Sequence, residues 1–130
     1  MATITATITK EEALENLQVF ARERDERINK LFDDILEHTA TLEDSNLNSV
    51  KKYECIMETE YLFTRIRIMV NDELKRIDYA LTMGDDVSSI LSIKSFFTKR
   101  KQYLLSVVSR LNETREDMNV IQRSFYNIKF

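Results

Sequence analysis

A chain of 130 residues, with 43% hydrophobic residues and a net charge of −3, can form one domain around a real core, which excludes a disordered chain. One Gly and no Pro exclude most β architectures and glycine-rich phosphate loops, because hairpins and such loops need residues that tolerate positive φ. A single Cys and a single His exclude a structural zinc site or a disulfide framework within one chain. Because Gly and Pro are so scarce, the composition predicts long helices joined by few turns.

The N-terminal residues 1–9 carry no charged side chain, and from Ala2 onward Thr alternates with Ala or Ile. This pattern is compatible with a β-strand but is too short to form a sheet. We predict a flexible N-terminal arm over residues 1–9, with an arm that adds to a neighbouring subunit as the alternative. The segment lacks a basic region followed by an apolar block, and no apolar run approaches the ~18 residues that span a bilayer. We therefore expect a cytoplasmic or nuclear protein with no membrane contact.

The first helix has a start signal in Thr9-Lys10-Glu11-Glu12, which is a capping box, and it is predicted to begin near Lys10. Apolar residues then recur every seven positions at Leu14, Ala21, Ile28, Ile35 and Leu42. Arg24 interrupts this seam, and Arg100 interrupts the seam of the third helix, as polar residues that set the helix register would. His38 also lies on the seam, where we expect a core or interface histidine bonded to a carboxylate such as Asp34; a pH switch is the alternative.

The second helix follows a turn over residues 43–49, in which Ser45, Asn46 and Asn48 are equivalent candidates for the cap. Its sevenfold seam is flanked by further apolar residues on both sides, a width that suits packing against two neighbours and predicts the most buried of the helices. The seam residues are Ile56, Phe63, Val70 and Ile77. Cys55 flanks this seam and is expected to be a small buried residue. Gly84 is predicted to end the helix, and Asp85 or Asp86 to cap the next one.

The third helix has an unbroken apolar repeat at Ile90, Phe97, Leu104, Leu111, Met118 and Phe125. Five heptads of this kind predict a helix with a coiled-coil supercoil. From Asp86 to Ile128 it would measure roughly 64 Å at ~1.5 Å per residue, against about 50 Å for the first helix. We expect it to overhang the other two helices, or to kink near Asn112-Glu113-Thr114-Arg115.

An overhang would leave the C-terminal part of the third helix without cover. Large apolar side chains in water usually mark an interface on a protein of this kind. The residues concerned are Met118, Ile121, Phe125 and Ile128. They are the predicted interface of a homo-oligomer or of a subunit of a hetero-complex.

Charge is divided unevenly along the chain. Residues 10–45 carry five basic and eleven acidic side chains, whereas residues 86–130 carry eight basic and four acidic ones. The basic side chains of the third helix are candidate contacts to phosphate or to an acidic partner, foremost Lys94, Lys99, Arg100 and Lys101. The alternative is that they pair with the acidic first helix, and the negative net charge predicts that any binding to nucleic acid is weak.

Two strings of residues, together covering about 50 positions, resemble the helical domain of subunits of the GINS replication complex. The first is Tyr61-Leu62-Phe63-Thr64-Arg65-Ile66-Arg67 with its continuation over residues 74–78. The second is Phe96-Phe97 with residues 102–108. The chain departs from that family in a shorter interval between residues 67 and 77 and in the absence of a following small β domain. The resemblance implies a non-enzymatic subunit of a replicative helicase assembly.

The sequence as a whole predicts an all-α protein, an antiparallel bundle of three long helices over residues 10–130, with the third helix extended. The carboxylates of the first helix cannot form a di-iron site, because that site needs two Glu-x-x-His repeats and the chain has one His. We expect no enzyme activity and no cofactor. The predicted function is that of a structural or adaptor protein acting by helix-mediated protein-protein interaction and oligomerisation; the alternative is a nucleic-acid-linked assembly factor such as a GINS-like subunit.

Overall fold

Three long helices make up the computed structural model of the chain, which describes residues 9–44, 46–83 and 91–129. They are α1 (Lys10–Leu42), α2 (Ser49–Met83) and α3 (Leu91–Lys129), and the described residues contain no strand. The all-α prediction is confirmed. The predicted arm lies almost wholly outside the described residues, as do Gly84, Asp85 and Asp86.

The beginnings of α1 and α2 are set by side-chain caps. Thr9 Oγ1 accepts a hydrogen bond from the backbone N–H of Glu12 at 3.1 Å and donates one to the Glu12 carboxylate at 3.2 Å. Half of the predicted capping box is therefore present, because the Glu12 carboxylate binds the Thr9 hydroxyl rather than the Thr9 amide. At the start of α2, Asn48 Oδ1 accepts from the backbone N–H of Lys51 at 2.9 Å, which selects Asn48 among the three predicted caps.

Contacts between helices define an up-down-up arrangement. Early residues of α1 bond late residues of α2, as Arg24 does with Glu73, and His38 near the end of α1 approaches Glu58 near the start of α2. The helices α2 and α3 are antiparallel in the same way, since Glu60 pairs with Arg115 and Asp78 pairs with Lys101. It follows that α1 and α3 run parallel, with α2 packed against both.

The core lies along the common axis of the three helices and contains most of the predicted seam residues. Leu14 and Ala21 of α1 are only partly buried, and Ile90 and the side chain of Phe125 lie outside the described residues. Its largest fully buried side chains are Phe32, Phe63, Ile28, Ile35, Ile66, Ile93, Leu104 and Met118. The helix α2 contributes the most buried side chains, as its wide apolar pattern predicts. The described seam residues of α3 face inward, and α3 is one continuous helix through residues 112–115, where a kink was the alternative to an overhang. The supercoil stays a prediction.

Candidate interaction surfaces

A charged cluster joins the three helices inside the bundle. Arg100 of α3 donates to both oxygens of Glu73 of α2, from Nε at 2.6 Å and from Nη2 at 3.0 Å. Its Nη1 donates to Asp25 Oδ2 of α1 at 2.9 Å. Arg24 of α1 completes the cluster with a 2.8 Å bond from Nε to Glu73 Oε1 and a 2.7 Å bond from Nη2 to the carbonyl of Met69. Side chains from all three helices therefore meet in this cluster.

Burial and ion pairing shift the pKa values of Glu73 and Arg100 in opposite directions. Burial alone would raise the pKa of Glu73, but hydrogen bonds and charge from Arg100 and Arg24 lower it below its ordinary value of 4.5. Burial alone would lower the pKa of Arg100, but Glu73 and Asp25 raise it. Asp25 Oδ1 is buried and accepts no hydrogen bond from the described residues, although it lies 2.9 Å from Arg100 Nη1. Glu73 is therefore ionised at neutral pH, and its negative charge lies against the positive charge of Arg100.

The basic residues of α3 that the sequence singled out divide into two kinds. Arg100 is 6% exposed and belongs to the buried cluster, so its predicted contact with an outside phosphate or acidic partner is wrong. Lys101 bonds Asp78 of α2 through Nζ at 2.7 Å. Lys94 and Lys99 are exposed and make no ion pair within the described part of the chain. Of the eight basic side chains over residues 86–130, Arg100, Lys101 and Arg115 form ion pairs with the other two helices, mainly with α2.

The predicted C-terminal interface needs a correction. Met118 is 1% exposed and belongs to the core of its own chain, and Ile121 packs against that core. The reason is the register of α3, since the 2.8 Å bond between Arg115 and Glu60 places the following turn of α3 level with the beginning of α2. The side chains of Phe125 and Ile128 lie outside the described residues. Met118 is therefore not a surface residue, and Ile121 is only partly exposed.

The single His and Cys lie together where α1 faces α2. His38 Nε2 is 3.2 Å from Glu58 Oε2, so its carboxylate partner is on α2 and is not the expected Asp34. Asp34 instead bonds Lys30 at 2.9 Å, one turn away on the same helix. Cys55 is buried, as predicted, and its thiol donates to the carbonyl of His38 at 3.2 Å. Burial and the nearby Glu58 raise the pKa of the Cys55 thiol, which makes it a poor nucleophile.

Two clefts lie along the junction of α1 and α2. The larger has a volume of about 530 Å³ and also reaches α3. It is lined by Leu17, Phe20, Ala21, Glu23, Arg24, Arg27, Glu73, Arg76, Ile77, Phe96, Phe97 and Arg100. The second, of about 480 Å³, is lined by Arg24, Arg27, Lys30, Leu31, Tyr61, Thr64, Arg65, Ile68 and Met69. Both are basic and largely apolar. Neither contains a nucleophile beside a base, which is the arrangement that most hydrolytic chemistry needs.

The most extended apolar surface lies on α2, on the face turned away from the core. We call it the outer stripe of α2, and each of its members is more than half exposed: Val50, Tyr53, Met57, Tyr61 and Ile68. Successive members are three or four residues apart, with Thr64 bridging the longer step between the last two, so they form one row along the helix. This row was not predicted, although the spacing of residues 50, 57, 61 and 68 is visible in the amino-acid sequence.

Comparison with known proteins adds no relative. No family model, no curated protein and no solved structure matches the chain. Within the part of the chain that the structure describes, no group of three or more His, Cys, Asp or Glu side chains could hold a metal ion. No described helix is long and apolar enough to cross a membrane.

Proposed function

We propose that the chain is a non-enzymatic structural or adaptor protein that works by helix-mediated association and oligomerisation within a larger assembly. The observation that carries the proposal is the outer stripe of α2. A row of five large apolar side chains on one helix face exceeds the scattered apolar residues of an ordinary surface. Tyr and Met, which make up three of the five, are residue types enriched where proteins meet.

The charged cluster supports the same function. Arg100, Glu73 and Asp25 fix the relative register of three long helices, as buried polar groups do in helical assemblies. A bundle locked in this way presents its outer stripe as a rigid surface, which limits the entropy that is lost on association.

The alternative function, a nucleic-acid-linked assembly factor such as a GINS-like subunit, has less support. It would require basic charge presented to solvent, and Arg100 and Lys101 are engaged with acidic side chains of the bundle. Lys94 and Lys99 are the two of the four candidates that could still contact a phosphate backbone.

The association state of the purified chain tests the proposal. Sedimentation velocity from about 1 to about 500 μM covers the range in which a contact between two helix faces would form. We expect a mass above the 15.4 kDa of one chain, rising with concentration. A single species of 15.4 kDa throughout would contradict the oligomerisation that the proposal requires.

A further inference from the structure

We propose that the occupant of the outer stripe of α2 is the same stripe of a second copy of the chain, packed antiparallel about a two-fold axis level with residue 59. The inference rests on the proposed function and names its partner. Three observations carry it: the spacing of the apolar residues, the placement of charge beside them and the availability of those charged groups for a contact.

The spacing of four of the five stripe residues is unchanged when the direction of the stripe is reversed. Val50, Met57, Tyr61 and Ile68 are separated by seven, four and seven residues. Reversal about residue 59 sets Val50 against Ile68 of the second copy, and Met57 against Tyr61. Antiparallel pairing of two identical stripes therefore brings every one of these four side chains opposite another apolar side chain, as an isologous interface requires.

Charge beside the stripe selects the antiparallel direction. Glu54 and Arg65 are eleven residues apart, which is close to three full turns, so they flank the stripe on the same side. Two helices that pair antiparallel bring like flanks together, and reversal about residue 59 puts Glu54 beside Arg65 of the second copy, twice per dimer. A parallel pair would bring opposite flanks together, so Glu54 and Arg65 would lose this pairing with the second copy.

Both charged groups are available for this contact. Within the described residues, Glu54 has one ion-pair partner, an exposed Lys51 at 3.7 Å, which is a weak interaction. Arg65 Nη1 donates to the hydroxyl of Tyr61 at 3.0 Å, so the guanidinium is held beside the stripe. A partner unrelated to this chain would need neither the symmetric spacing nor the matched pair of opposite charges.

Charge reversal tests the proposed pairing. E54R and R65E should each weaken self-association at least about tenfold, because each places like charges together at two positions of the dimer. The double variant E54R/R65E should restore self-association to within about threefold of the unchanged chain. An equimolar mixture of the two single variants should form a heterodimer, because both contacts then join opposite charges. Single variants that associate as well as the unchanged chain would overturn the antiparallel pairing.

A polar substitution in the stripe supplies a second test. M57E places a carboxylate at the middle of the proposed interface and should weaken association about 100-fold or more, as the loss of a central contact does. L36E is the matched control, since Leu36 is an exposed apolar residue on α1 and lies outside the stripe. Helical content, measured by circular dichroism, should be unchanged in both variants.

The outcomes separate this inference from the function on which it rests. If the unchanged chain stays monomeric, the proposed function fails together with the inference. If the chain oligomerises but M57E and L36E associate equally well, the proposed function stands and the α2 dimer is wrong. Loss of association in M57E alone, together with rescue by the double charge reversal, supports both.

Discussion

Arg100 links the three helices through its ion pairs with Glu73 and Asp25, and its position in an apolar seam was predicted in part from the sequence. The heptad pattern identified Arg24 and Arg100 as polar residues within apolar seams, and the interpretation as register-setting residues fits the contacts that they make. Glu73, the carboxylate between them, went unnoticed. It belongs to no apolar repeat, and only the packed arrangement of α1, α2 and α3 reveals that a carboxylate on α2 faces two arginines.

Removing Arg100 is expected to destabilise the fold. In Arg100→Met, Glu73 and Asp25 would keep their burial and lose their main cation, at a cost of about 3 kcal/mol in the free energy of unfolding at pH 7. The pKa of Glu73 is lowered in the folded chain, so its favourable contribution is present above its ordinary value of 4.5 and is lost as the pH falls through the folded value. The cost of the substitution should therefore shrink in acid.

Urea denaturation from pH 7 to pH 3 measures this dependence. The control is Lys101→Met, which removes the exposed neighbouring pair with Asp78 and should cost less than about 1 kcal/mol at any pH. If the cost of Arg100→Met were equally small at pH 7, or were constant down to pH 3, the cluster would not hold the charge that its geometry indicates.

At the scale of the helix, periodicity predicted most of what the structure contains. The inward face of each helix and the wide core contribution of α2 follow from the spacing of apolar residues, and the start of α1 follows from its capping box. Poor local helix propensity near Asn112 made that region the candidate for a kink. Tertiary packing overrides that propensity, since Leu111 and Met118 on either side are both buried in the core.

Truncating a buried aromatic side chain should lower the free energy of unfolding much more than truncating an exposed one. Phe63 of α2 is 0% exposed, and the guanidinium of Arg115 lies 5.1 Å from its ring centre, so Phe63→Ala leaves a cavity among three helices. We expect a loss of about 3–5 kcal/mol in the free energy of unfolding. Phe20→Ala, at a ring that is 63% exposed, should cost less than about 1 kcal/mol in the same titration. Comparable losses at both positions would contradict the assigned face of α2.

For the molecule as a whole, the lengths of the helices were a poor guide to which surface is exposed. Contacts between distant residues cannot be read from the sequence, so the overhang was inferred from lengths counted separately for each helix. The register of the bundle depends instead on pairs such as Arg115 with Glu60, which bring the C-terminal part of α3 beside the beginning of α2. Among the described residues, the longest row of exposed apolar side chains is the outer stripe of α2, between the beginning and the middle of that helix.

Deletion of residues 117–130 tests in one experiment whether the chain associates through the C-terminal part of α3 or through the outer stripe of α2. The deletion removes Met118, which is 1% exposed within the core, so we expect it to lower the free energy of unfolding by at least about 2–5 kcal/mol. The outer stripe of α2 is untouched by it, and the fraction that stays folded should dimerise like the full chain. Urea denaturation gives the first quantity, and sedimentation of the folded fraction at low temperature gives the second. A stable monomer would place the interface on the C-terminal part of α3, whereas an unstable chain that still dimerises would place it on α2.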